Sequence, residues 1–459
     1  MNIIVLNGSP KGETSVTMQY VKYLQKQIAG HTFKTFNIAL EIRGIENNPG
    51  KFDGIIDEVR QADGVLWAFP LYVCAVHSHY MRFIELISER SAQDAFRGKA
   101  AAALSTSIHF FDNTAHSYMR AVCDDLGMRY AGFFSAAMQE LTQEQGRKKL
   151  ACFAKTFIAR IESNLPAQRL FAPVQADIPE YTPGPAGRKA NNGGRKVLLI
   201  TDAETTDSNL NRMAERLVSA FASPVETVRL AEANIRGGCL GCLKCGYDNK
   251  CVYGGTDDIR ELYTVKIKNA DIIVFAAALR GRFFSSRFKT FVDRRFLMTH
   301  QPQMAGKQIA YLVSGPLGQN HNVVEIMQAI TEFDWANLAG IVTDESGNPA
   351  EIDGAIDGLA ARLAELSRAG YVQPSTFLGV GGLKVFRDEI FCNLRFVFRG
   401  DHRFYKKHGV YDFPQKKIGM RMAAGFMSLL NRVPFIRKRM QNGMKEFMLM
   451  PFRSIVSDS

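Results

Sequence analysis

Asn2-Ile3-Ile4-Val5-Leu6-Asn7-Gly8-Ser9-Pro10-Lys11-Gly12-Glu13-Thr14-Ser15-Val16-Thr17 opens the chain. Asn2–Asn7 is a short apolar run of strand length, and helical spacing of apolar residues begins at Thr14 and lasts to Ala29. Between them lie small and hydroxyl-bearing residues. A loop of this kind at a helix N-terminus gathers backbone N–H groups that the helix cannot pair, and the helix dipole favours an anion there. The same residues also suit a plain βα turn with Thr14 or Ser15 as N-cap, and local sequence leaves both readings open.

Outward from this stretch the alternation continues. Strands are expected at Thr35–Ile38, Gly64–Phe69, Lys99–Ser105 and Gly132–Ala136, with helical patterns at Ser78–Arg90 and Ala115–Leu126. Five strands with helices between them imply a doubly wound parallel sheet covered on both faces. Five prolines and Asn191-Asn192-Gly193-Gly194 interrupt the pattern between Asn164 and Arg195. It then restarts at Lys196–Thr201, Ala270–Ala277 and Lys307–Ser314, and Ala270-Asp271-Ile272-Ile273-Val274-Phe275 parallels Ala62-Asp63-Gly64-Val65-Leu66-Trp67. The expected organisation is a first α/β domain at 1–165, a linker at 166–195, a second such domain at 196–375 and a basic, mostly helical extension at 376–459.

The chain has 459 residues, 46% hydrophobic and 22% charged, enough for two domains and an appendage. No apolar run approaches the length of a membrane span and the first residues lack a secretory pattern, so a cytoplasmic protein is expected. The net charge of +12 sits mostly in 376–459, which holds sixteen Lys and Arg against six Asp and Glu. The remainder is near neutral, which argues against nucleic-acid binding. Within the tail, Lys417–Asn442 reads as one amphipathic helix rich in Met, Leu, Phe and Arg. It is expected to pack on its own protein or in a homo-oligomer, with weak contact to a membrane surface as the other reading.

Asn7-Gly8-Ser9-Pro10-Lys11 with Ser15-Val16-Thr17 resembles the phosphate loop of the NAD(P)H-dependent FMN reductase family, which is flavodoxin-like. Phe69-Pro70-Leu71-Tyr72-Val73 resembles that family's loop beside the isoalloxazine, and Ser105-Thr106-Ser107 stands where a third cofactor loop is expected. The resemblance implies FMN on Ser9, Lys11, Ser15, Val16, Thr17, Pro70, Leu71, Tyr72, Val73, Ser105, Thr106 and Ser107, with NAD(P)H as donor. The chain departs from the pattern at Val16 and Lys11, where the family commonly has Asn and Arg. His109, Asp112 and His116 follow the fourth strand and suit either the site or the core. In the second domain Asp202, Glu204 and Asp207 occupy the corresponding first loop and would repel a phosphate, although Ser285–Arg294 still resembles the family's helix.

Cys239, Cys242, Cys245 and Cys251 are spaced C-x2-C-x2-C-x5-C. Thiolates this close suit an iron–sulfur cluster, and the run resembles that of the iron–sulfur flavoproteins, which implies a [4Fe–4S] centre; cluster-free thiols and zinc are the other readings. The expected activity is NAD(P)H oxidation through FMN, with electrons passing to a small-molecule or protein acceptor. The alternative is a non-catalytic electron carrier or redox sensor.

Overall fold

The computed structural model describes residues 1–175, 177–204 and 208–456. The chain divides into two compact units, Met1–Phe404 and Tyr405–Ser459. In the first unit, β1 (Asn2–Asn7), β2 (Thr32–Phe36), β3 (Gly64–Pro70), β4 (Ala100–Ser107) and β5 (Arg129–Ala137) form a parallel sheet in the order β2-β1-β3-β4-β5. A second sheet repeats it as β7-β6-β8-β10-β11, from β6 (Val197–Thr201), β7 (Val225–Arg229), β8 (Ile272–Arg280), β10 (Gln308–Ser314) and β11 (Asn337–Thr343). A short β9 (Phe283–Phe284) pairs antiparallel with β8. Both are flavodoxin-like α/β layers, and β3 and β4 are buried almost throughout because helices cover both faces.

The first repeat carries α1 (Val16–Gln27), α2 (Ile38–Asn47), α3 (Pro49–Gln61), α4 (Ser78–Glu89), α5 (Asp112–Asp125) and α6 (Glu144–Ser163). The second carries α7 (Asn209–Ser219), the short α8 (Cys245–Asp248) and α9 (Ile259–Glu261), α10 (Ser286–Arg294), α11 (His321–Phe333) and α12 (Pro349–Ala369). Beyond them lie α13 (Phe377–Glu389), α14 (Arg399–Lys407), α15 (Ile418–Leu430) and α16 (Pro434–Val456). The second strand lies earlier than the pattern suggested, because Ile38 turns inward as the first residue of α2. The single tail helix expected over 417–442 is two helices. Pro434 stands at the start of the second, and proline disfavours helical backbone in the residue before it.

The proline-rich stretch after α6 is irregular but anchored. Tyr181 is buried and donates its hydroxyl to Asp353 on α12 at 2.6 Å, while Arg216 on α7 donates to the carbonyls of Gly184 and Pro185.

The two repeats face each other through equivalent helices: α4 packs on α10 and α5 on α11. The contact is reciprocal. Asp293 on α10 accepts the Ser78 N–H that opens α4 (2.7 Å), and Glu85 on α4 accepts both the N–H and the hydroxyl of Ser286 that open α10 (2.6 Å each). In both helices the carboxylate stands seven residues after the serine. Each therefore satisfies an N–H that its own helix leaves unpaired, across an approximate twofold axis.

Candidate functional site

At the carboxyl end of β1 the Asn7 side chain shapes the loop, its Oδ1 accepting Ser9 N–H at 2.9 Å while its Nδ2 donates to Asn37. Ser9 Oγ accepts Lys11 N–H at 3.2 Å, and Ser15 caps α1 by accepting Met18 N–H. Gly8 has no alternative, because a Cβ there would meet the Tyr80 ring at 2.8 Å. Thr17 and Thr106 hydroxyls share a 2.7 Å hydrogen bond that ties the first loop to the end of β4.

The β3 loop turns back sharply. Tyr72 and Ala75 exchange both backbone hydrogen bonds, so Val73 and Cys74 form a two-residue turn with φ of 37° and 64°. Positive φ is unfavourable for a β-branched residue, and the surroundings hold it in place. Thr114 donates to the Cys74 carbonyl at 2.5 Å, and Lys289 of the second repeat donates to the Tyr72 carbonyl at 2.8 Å. Lys289 is completely buried and ion-paired with Asp293. Burial pushes the Cys74 thiol up to about 12, so it remains a packed neutral thiol.

Ser9, Lys11, Ser15, Val16, Thr17, Pro70, Leu71, Tyr72, Val73, Thr106 and Ser107 line one cavity of about 290 Å³. Ser105 does not. Its buried side chain is turned to α5, 2.8 Å from His116 Nε2 and within reach of Ser135. His109 and Asp112 pair with each other at 2.9 Å beside Ser135, and neither they nor His116 reach the cavity walls.

Sequence reasoning missed the remaining wall. Leu243, Arg295, Phe296, Thr299, His300 and Phe333 of the second repeat line the same cavity, as do Phe386, Leu394, Val397 and Phe398 beyond it. His300 stacks on Phe386 (4.0 Å between centroids), and its Nδ1 lies 2.8 Å from Asp401. Asp401 also accepts from the Thr299 hydroxyl and His300 N–H, holding Thr299 at a φ of 57°. Only that strained backbone marks the segment, and sequence does not show it.

The cysteine loop leaves β7 and crosses to the first repeat. His79 Nε2 accepts Gly238 N–H at 3.0 Å, and His77 Nε2 lies 2.8 Å from the Cys239 carbonyl. His77 Nδ1 already accepts His79 N–H, so His77 is the tautomer that donates from Nε2. Gly241, at φ +60°, abuts the cavity, where a Cβ would meet Tyr72 Oη at 2.4 Å. The four cysteines line one small pocket of about 20 Å³, whose walls Leu243 and Phe296 are shared with the larger cavity. Arg294 is ion-paired with Asp257 and lies 3.8 Å from Cys251 Sγ. Burial pushes Cys239 and Cys245 up to about 12. No group of three or more His, Cys, Asp or Glu among the described residues is placed to hold a metal ion. The loop thus brings four thiols to the wall of one small pocket.

Burial holds His77 well below the ordinary histidine range and His79 below it. A histidine that binds its proton more weakly when folded contributes stability above its unfolded pKa of about 6.5, and that contribution is lost as pH falls below it. Amide exchange at Gly238 should therefore accelerate progressively as pH falls from about 6.5 toward 5, after correction for intrinsic rates. A corrected rate independent of pH over that range would show that the histidines do not hold the loop.

The second repeat lacks an equivalent loop. Asp202 N–H donates to Ala276 as Gly8 N–H donates to Ala68, so Asp202 stands where Gly8 does. Its buried carboxylate accepts Ala278 N–H at 3.1 Å and the Ser285 hydroxyl. Burial raises it to about 6, and these hydrogen bonds oppose the rise. Glu204 reaches Arg287 at 3.7 Å, and Asp207 lies outside the described residues.

Among solved structures the chain is similar to an NADH:FMN oxidoreductase (EmoB, apo form), at 21% identity over 34% of this chain and 87% of that one, with a TM-score of 0.29. It is also similar to FerB, a flavoenzyme NAD(P)H:(acceptor) oxidoreductase from Paracoccus denitrificans. That match has 22% identity over 36% of this chain and 98% of FerB, with a TM-score of 0.30. RosB with a bound intermediate, 8-demethyl-8-formylriboflavin-5'-phosphate, matches at 16% identity over 43% and 88%, TM-score 0.32. No curated protein matches. The family model for NADPH-dependent FMN reductase matches residues 1–140 and again 195–346, well over half of the sequence. The chain therefore belongs to the NADPH-dependent FMN reductase family, as an NAD(P)H-dependent FMN oxidoreductase that carries the family's unit in tandem.

Proposed function

We propose that the protein binds one FMN, in the first repeat, and uses it to pass electrons from NAD(P)H to a small-molecule or protein acceptor. The observation that carries this reading is the contrast between equivalent loops. Hydroxyls of Ser9, Ser15, Thr17 and Thr106 border the first cavity, whereas the carboxylate of Asp202 occupies the second loop. The cavity is close to the lower end of ligand-pocket sizes, roughly 300 Å³. Its hydroxyl-rich end lies at the α1 N-terminus, suited to a phosphate, and its aromatic end is suited to a planar ring system. Bound there, FMN supplies two-electron uptake from NAD(P)H and onward transfer. Ser9, Lys11, Ser15, Val16 and Thr17 would hold the phosphate end, while Pro70–Val73, Thr106 and Ser107 would border the ring. Lys289, through the Tyr72 carbonyl, keeps the β3 turn in place. Ser105 belongs to the strand interior and is no part of this site.

Extraction of purified protein should yield about one FMN per chain, and anaerobic mixing with NAD(P)H should bleach its absorbance. Two FMN per chain would overturn the assignment to one repeat. Failure to oxidise NAD(P)H with any flavin, quinone or protein acceptor would favour the carrier reading.

The [4Fe–4S] centre is a separate part of the proposal. Its support is the convergence of Cys239, Cys242, Cys245 and Cys251 on one pocket that shares walls with the cavity. Cluster assembly would have to spread the thiols and remove their protons. Protein purified without oxygen should contain about four iron and four sulfide per chain. Flavin without iron in such a preparation would discard the cluster and leave the FMN proposal standing. A reducing cytoplasm would keep the eight cysteines, none of them bridged, as thiols.

A further inference from the structure

The second compact unit offers a surface that the flavin chemistry does not use. No residue of α15 is buried, although its only charged residue is Arg421. Met420, Met422, Phe426 and Leu429 are each more than half exposed, as are Phe435, Phe447 and Phe452 of α16. A helix apolar on all sides is normally covered by protein or lipid. At 13 residues α15 is about 20 Å long, well short of a hydrocarbon core of about 30 Å. No helix among the described residues is long and apolar enough to cross a membrane. The same segment is strongly one-signed, since residues 416–456 hold nine Lys and Arg and a single acid, Glu446. Basic residues flank α15 at Lys416 and Lys417 on one side and at Arg432 on the other, and Arg437-Lys438-Arg439 follow.

From this combination we infer that 416–456 is a membrane-surface anchor, lying in the plane of a bilayer rich in anionic headgroups. Apolar side chains of α15 and α16 enter the acyl boundary, while the flanking Lys and Arg reach the headgroups on their flexible stems. Charge complementarity selects this occupant over a second copy of the chain. Two copies meeting through this segment would bring two strongly basic surfaces together, whereas each basic residue near an anionic surface favours binding about fivefold.

The test is co-sedimentation of the full-length protein with vesicles of phosphatidylcholine alone, or with about one quarter phosphatidylglycerol. Binding to the anionic vesicles should be at least about tenfold tighter and should weaken as salt is raised. Arg437→Glu, Lys438→Glu and Arg439→Glu together should cost at least a further tenfold, with circular dichroism and flavin content unchanged because these residues lie outside the first unit. Phe426→Ser with Phe435→Ser should weaken binding to the anionic vesicles without changing its salt dependence. Equal binding to both vesicle types, or to neither, would overturn the inference. So would self-association by sedimentation velocity that the Ser variants abolish while vesicle binding persists.

Discussion

Ser9→Glu is expected to release essentially all flavin from a protein that remains folded. Ser9 is buried at the foot of the cavity, its hydroxyl committed to Lys11 N–H at the mouth of the α1 N-terminus. A carboxylate placed there competes with the cofactor phosphate for the same donors. Two like charges about 4 Å apart repel by roughly 4 kcal/mol at an effective dielectric near 20, which is close to three decades in Kd. Ser9→Ala removes only one hydrogen bond and should cost about tenfold. The readout is flavin absorbance retained after desalting, with far-ultraviolet circular dichroism as the fold control. Full flavin content in a folded Glu variant would place the cofactor elsewhere.

Lys289→Met should lower unfolding stability by about 3–5 kcal/mol, the usual cost of breaking a buried ion pair from one side. It strands Asp293 without its cation and takes the donor from the Tyr72 carbonyl. Adding Asp293→Asn should recover part of the loss. Asparagine keeps an acceptor for Ser78 N–H but no longer buries a charge. Urea titrations of the three proteins measure this, and a Met variant within about 1 kcal/mol of the parent would show that the pair contributes little. Flavin retention should fall in the single variant as the β3 turn loosens.

The first strand, its loop and the restart after the prolines were legible because parallel strands covered on both faces are forced to be apolar runs. Ligand loops of such sheets lie at the strands' carboxyl ends, the rule that pointed to Ser9–Thr17 and Pro70–Val73, and residues of both loops line one cavity. Ser105 shows where that reasoning stops. Thr106 and Ser107 at the end of β4 reach the cavity, whereas α5 turns His116 onto Ser105 one residue earlier, a contact no local pattern encodes. His300, Phe386 and Phe398 were invisible for a different reason. They reach the cavity only through packing between the repeats and α13, and no local period encodes that contact. The thiol spacing was legible, but the burial that raises Cys239 and Cys245 was not.

The reciprocal caps at Ser78 and Ser286 have a consequence for how such a protein can change. When two identical chains form a symmetric pair, every substitution is made twice, and a residue helpful on one side must be tolerated on the other. Joined in one chain, the halves are released from that constraint. Lys289 stands on α10 where α4 has Met81, and Asp202 stands where the first repeat has Gly8. Neither exchange would be easy in a homodimer, since a lysine at 81 or a carboxylate at 8 would fall inside the first repeat. Linkage also makes pairing of the halves a folding step, independent of protein concentration. One half can therefore keep its small hydroxyl-bearing loop while the other supplies the lysine that holds the β3 turn.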